Sequence, residues 1–145
     1  MRPLNKNNFR AYGKIVEYPD KASKGTVRNL WHIVHAEPRS TGWRAAYLIL
    51  RDKTIGRLEC HPKSDETFVP VKGQALMFVA REKDLGKIEC FRLTRPIILN
   101  KGIWHALVSL TAETEIMIFE NNRVSSRYWD LGSRVSKLED IRKRI

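Results

Sequence analysis

The stretch Glu59-Cys60-His61-Pro62-Lys63-Ser64-Asp65-Glu66-Thr67-Phe68-Val69-Pro70-Val71-Lys72-Gly73 limits the fold more than any other part of the chain. It places two glutamates and an imidazole within eight residues, then enters an apolar run. On a strand, alternate residues share a face. Arg57, Glu59 and His61 therefore point one way, and Leu58 and Cys60 the other. Leu58 and Cys60 suit a packed core, so the polar trio is expected to face a cavity. After a turn over Pro62 to Asp65, a second strand puts Glu66 and Phe68 on one face, with Lys72 joining them across Pro70. Gly102-Ile103-Trp104-His105 supplies a second imidazole. Buried polar groups are costly unless they are paired, hydrogen-bonded or bound to a metal. Two neutral imidazoles and two carboxylates, here Glu59, His61, Glu66 and His105, suit a divalent ion of the Fe, Mn, Ni or Zn type. A small β-barrel built around these four groups is the expected fold. The plainer alternative is a hydrogen-bonded Glu59–His61 pair in a wet barrel mouth, with no metal.

The rest of the chain agrees with an all-β reading. About ten short strand-like stretches are separated by turn signals every 8–12 residues or so, the pattern of a sandwich or barrel. Residues 3–9 read as a short helix or turn. Strands are expected over Lys14–Tyr18, Leu30–His35, Trp43–Leu50, Thr54–His61, Lys87–Leu93, His105–Leu110 and Glu115–Phe119. Ala75-Leu76-Met77-Phe78-Val79-Ala80 is continuously apolar, as in a strand buried on both faces. Asn121-Asn122 reads as a hairpin-type turn that tolerates positive φ, with Val124–Trp129 pairing back. Ser136–Ile145 reads as a C-terminal helix, with Ser136 and Glu139 as a capping box. His32 and His35 fall on opposite faces of a regular strand, so they cannot both reach one cavity.

The motif spacing resembles that of cupins. Their first motif is His-x-His, three or four residues, Glu, six residues, Gly; their second is Gly-x-x-His. Here Glu59 stands at the first His position, His61 at the second, and Glu66 follows after four residues. Gly73 comes six further on, and Gly102 to His105 matches the second motif. Phe9-Arg10-Ala11-Tyr12-Gly13-Lys14-Ile15-Val16-Glu17, His61-Pro62, Thr67-Phe68-Val69-Pro70 and Gly102-Ile103-Trp104-His105 together resemble the ureidoglycolate lyase family of cupins. Members often carry Gln at the place of Glu66 and a second His at that of Ala106. The resemblance implies a double-stranded β-helix (a jelly-roll barrel) and a homodimer.

Length and composition fit one soluble domain over residues 1–145. No apolar run approaches a membrane span, and Met1 to Lys6 lacks a signal-peptide core. Cys60 and Cys90 read as buried free thiols, which suits the cytoplasm. The formal charge is +11. The basic residues are dispersed, with one dense cluster at Arg142-Lys143-Arg144, so a solvated basic surface is the plain reading and a nucleic-acid face the disfavoured one. A positive field that draws in a small anionic substrate is another.

By resemblance, the reaction is cleavage of ureidoglycolate to glyoxylate and urea in allantoin degradation. Glu59, His61, Glu66 and His105 are the candidate catalytic and metal-binding set, with Glu59 or Glu66 as general base. Arg57 or Lys72 would hold the substrate carboxylate. Arg57 serves equally as a salt-bridge partner of Glu59, and Lys72 as a surface charge. The alternative is a non-catalytic or differently specific metal cupin that binds a small anion.

Overall fold

The computed structural model describes residues 1–17, 33–39 and 41–137. A single helical turn, α1 (Lys6–Phe9), opens the chain, with the Asn5 side chain accepting from the Asn8 N–H as its N-cap. Ten strands follow among the described residues: β1 (Gly13–Ile15), β2 (Arg44–Leu50), β3 (Ile55–Cys60), β4 (Glu66–Lys72) and β5 (Ala75–Arg81), then β6 (Glu89–Arg92), β7 (Ile97–Leu99), β8 (Ile103–Ser109), β9 (Thr114–Glu120) and β10 (Arg127–Val135). They form two five-stranded sheets, ordered β1-β7-β4-β9-β2 and β10-β3-β8-β5-β6. All the strand pairings are antiparallel. The expected all-β jelly-roll barrel is what forms.

Two apolar layers hold it. Phe68, Ile97, Leu99 and Ile116 from the first sheet meet Met77, Val79, Phe91 and Ile103 from the second, and this layer fills the barrel between the sheets. Leu58, Cys60, Leu76, Phe78, Ala80 and Trp104 form a second layer on the outer face of the second sheet, with Ile88 and Val135. The strand β5 alternates between the two layers. That is why its sequence is continuously apolar: both faces are buried, so neither calls for a polar residue. Both cysteines are free and buried, and burial pushes the Cys90 thiol up to about 11.

Several expectations change. Ile33–His35 has no regular structure, and Leu30 to His32 lie outside the described residues. The strand expected over Lys14–Tyr18 is the shorter β1, and Tyr18 lies outside the described residues. Among the described residues only glycines have positive φ, so the turn after β9 does not use that freedom at Asn121-Asn122. The segment after that turn does not pair back on β9. It crosses to the other sheet and pairs with β3, where Trp129 and Leu131 pack against the outer layer. Of the expected C-terminal helix, Ser136 and Lys137 form a bend and residues 138–145 lie outside the described residues. No helix among the described residues is long and apolar enough to cross a membrane.

Candidate metal centre and active site

The turn between β3 and β4 sets the site, and it is pinned by its surroundings. Asp65 Oδ1 accepts the Lys101 N–H at 2.7 Å. The His61 carbonyl accepts the Gly102 N–H at 2.9 Å. Ser64, buried, donates to the Asp65 carbonyl and accepts from the Asn121 N–H. His61 and Glu66, which flank the turn, are thereby fixed against the strands that carry His105 and Glu120.

Four of the six sequence-predicted residues come together. His105 Nε2 lies 3.1 Å from Glu66 Oε2 and 3.9 Å from Glu59 Oε1. His61 Nε2 lies 3.5 Å from the same Glu66 oxygen. The two imidazole rings are 5.4 Å apart, and Phe68 packs edge-on against His105 at 5.7 Å. Alternation on β3 works as expected: Leu58 and Cys60 enter the outer layer, while Glu59 faces inward opposite His105 in the β3–β8 ladder.

Each imidazole has its far nitrogen anchored. His105 Nδ1 is 3.1 Å from the Ile103 carbonyl, so Nδ1 carries the hydrogen and donates. His61 Nδ1 lies 3.3 Å from the Ser125 carbonyl and 3.1 Å from Ser126 Oγ. Both rings therefore present Nε2 to the carboxylates, the arrangement that orients metal-ligating histidines. Burial by itself lowers the basicity of His105, but the Glu66 carboxylate, the Ile103 carbonyl and Glu59 outweigh it and raise the pKa above the ordinary imidazole value.

Glu66 Oε2 is the informative atom. It is buried and, despite the short distances, has no aligned hydrogen bond to either ring. A buried carboxylate oxygen flanked by two ring nitrogens calls for a cation or a proton among them. The donor set fits a divalent ion: Glu59, His61 and His105 place one ligand atom each within 4.8 Å of one another.

The site opens on a cavity of about 720 Å³ whose wall includes Glu59, Glu66, His105, Arg57 and Phe68. The Arg57 guanidinium lies over the Tyr128 ring at 4.2 Å and makes no ion pair with Glu59 among the described residues. Lys72 is not brought there. A register shift between Pro70 and Lys72 turns the strand, and Lys72 is exposed and pairs with Glu115 at 3.5 Å. Trp104 is a core residue whose indole N–H donates to Glu82 at 2.6 Å.

Sequence reasoning missed Glu120 and the wall supplied by β10. Glu120 was legible in principle, since it continues the alternation of Ile116 and Ile118 on the inward face of β9. The β10 residues Tyr128, Asp130, Ser133 and Arg134 line the cavity, and no local signal marks them. A further cluster, His35–Glu37–Asp65, lies outside the cavity. There Lys14 Nζ approaches His35 and Lys101 Nζ approaches Glu37, each at 3.5 Å, so ammonium groups already supply the positive charge.

A two-sheet barrel with imidazoles and carboxylates converging on an internal cavity is a cupin-type enzyme scaffold. The chain belongs to the ureidoglycolate lyase family, whose model matches residues 1–137. It is 23% identical over 136 residues to a ureidoglycolate lyase of Brucella anthropi, covering 83% of this chain and 80% of that one. A ureidoglycolate lyase of Pseudomonas syringae pv. tomato is 20% identical, with 93% and 92% covered. Among solved structures, Peruvianin-I, a cysteine peptidase from Thevetia peruviana latex, superposes with a TM-score of 0.51 at 14% identity, over 61% of this chain and 56% of that one. The likeness is one of fold.

Proposed function

We propose that this protein is a metal-dependent lyase that cleaves ureidoglycolate to glyoxylate and urea. The observation that carries the reading is Glu66 Oε2, buried and unpartnered between two anchored imidazoles at the wall of a cavity that also presents a guanidinium. His61, His105, Glu66 and Glu59 would hold a divalent ion of the Mn, Fe, Ni or Zn type. Such an ion supplies Lewis acidity towards the substrate's hydroxyl and carboxylate oxygens.

The chain's own groups do the rest. Arg57 holds the substrate carboxylate through its planar fork. Glu59, the least buried of the four at 41% side-chain exposure, is the general base. It takes the hydroxyl proton as the carbinol C–N bond breaks and the aldehyde C=O of glyoxylate forms, and it returns that proton to the departing urea nitrogen. Phe68 and the other apolar wall residues keep water away from the reacting carbon.

The test compares the purified protein with a His61→Ala, His105→Ala double mutant by elemental analysis and by urea release from ureidoglycolate. Wild type is expected to carry about one metal per chain and turn over; the mutant loses both. Metal binding without turnover of ureidoglycolate would move the reading to a binding protein or to another 2-hydroxy acid.

Cytoplasmic allantoin degradation is the setting that this substrate implies. A homodimer accords with the exposed apolar groups Tyr47, Ile49 and Val71 on the first sheet and with β2 as its edge strand. Sedimentation of a Tyr47→Asp variant checks this: a dimer in wild type should give way to monomer, and a wild-type monomer would dismiss it.

A further inference from the structure

Glu120 closes β9 directly opposite Glu66, the first residue of β4. Both side chains are only 8% exposed. Like charges opposite one another on a sheet repel, and burial raises the cost. One compensation is present. Arg44, opposite Glu120 on β2, donates to Oε1 through Nε at 3.0 Å and Nη2 at 2.7 Å. The other oxygen, Glu120 Oε2, is buried without a hydrogen-bond partner, as is Glu66 Oε2. Arg44 is itself 47% exposed, so two buried carboxylates share one guanidinium at the surface, with the His61 and His105 rings beside Glu66. His61, Glu66 and Glu120 each place a ligand atom within 4.8 Å of the others.

We propose that Glu120 is a further metal ligand, forming with His61 and Glu66 an inner cation position beside the outer one made by Glu59, His61 and His105, with Glu66 shared between them. The inference rests on the metal reading above and adds a carboxylate that the cupin motifs do not supply. His61 belongs to both groups and has one nitrogen to offer, because Nδ1 is engaged by Ser125 and Ser126. The two positions are therefore alternatives for a single ion. His61 and Glu120 lie off the cavity lining, whereas Glu59, Glu66 and His105 line it. The inner position thus meets the cavity through Glu66 alone and sets the ion deeper, and the outer position offers it to substrate. Two carboxylate oxygens with one imidazole favour a hard ion such as Mn(II) or Fe(II).

The test is equilibrium dialysis of the full chain against Mn(II), with bound metal counted by elemental analysis and folding checked by thermal melting. Glu120→Gln should weaken Mn(II) binding by at least about tenfold. Arg44→Gln, which keeps the carboxylate and frees its second oxygen, should bind Mn(II) at least as tightly as wild type. Equal affinity in wild type and Glu120→Gln overturns the inference and leaves the metal reading standing. Equal weakening in both variants also overturns it, because the ion pair would then matter only as structure. If wild type binds no Mn(II), this inference falls, and the elemental analysis above decides the metal reading separately.

Discussion

Tyr12 shows how a single residue ties the N-terminal segment to the barrel. Its ring packs against Phe9 and Phe91, and its hydroxyl donates to Glu89 at 2.8 Å. Burial, followed by the Glu89 hydrogen bond and charge, pushes its pKa up to about 12 from 10. The folded protein thus holds this proton more tightly than the unfolded chain does. The stability it contributes is complete below pH 10 and is lost as pH rises through about 12. Urea denaturation of wild type and Tyr12→Phe over that window is the check. The stability advantage of wild type should shrink with rising pH, and a constant difference would mean that the phenol titrates normally. The same logic of paired burial separates the candidate site residues. Glu66 and His105 are both buried with 3.1 Å between Oε2 and Nε2, whereas Lys72 escapes to solvent where Glu115 meets it.

The strands that alternate cleanly were legible, and those shaped by long-range pairing were not. Leu58 and Cys60 against Arg57 and Glu59 gave the faces of β3 correctly, since a period of two leaves no freedom once one face is buried. The same rule misplaced Lys72, because the irregularity after Pro70 resets the alternation and nothing in the local sequence announces where. Local sequence makes Val124–Trp129 a hairpin partner of β9, the shortest connection, whereas that segment leads into β10. Its actual partner, β3, lies far back in the chain, and the cavity wall it builds was invisible for that reason. Gly73 belongs at this scale too. It joins β4 to β5 at a φ of +79°, and an added Cβ would stand 2.5 Å from the Glu113 carbonyl oxygen and 2.7 Å from Thr111 Oγ1. Gly73→Ala should cost on the order of 1–3 kcal/mol, read as a lower urea midpoint with an unchanged m-value. An unaltered midpoint would show that the turn relaxes freely.

Across the whole molecule, a formal charge of +11 surrounds a cavity that holds both carboxylates and guanidinium groups. A field of that sign concentrates small anions near the surface, and salt screens it over about 10 Å at 0.1 M. For a carboxylate substrate, kcat/KM should fall several-fold between about 20 and about 300 mM salt, with kcat nearly constant. Steady-state kinetics at fixed pH reads this, and a salt-independent kcat/KM would assign the charge to solubility alone. The pairing of β10 with β3 has one more result, which concerns the order in which the protein is made. A nascent chain emerges from the ribosome with the histidine motif early. The serine that approaches its imidazole through a carbonyl comes 64 residues later, and the strand that walls the cavity follows it. A product cut off between the two would therefore hold the imidazoles and carboxylates without the chamber that disciplines them.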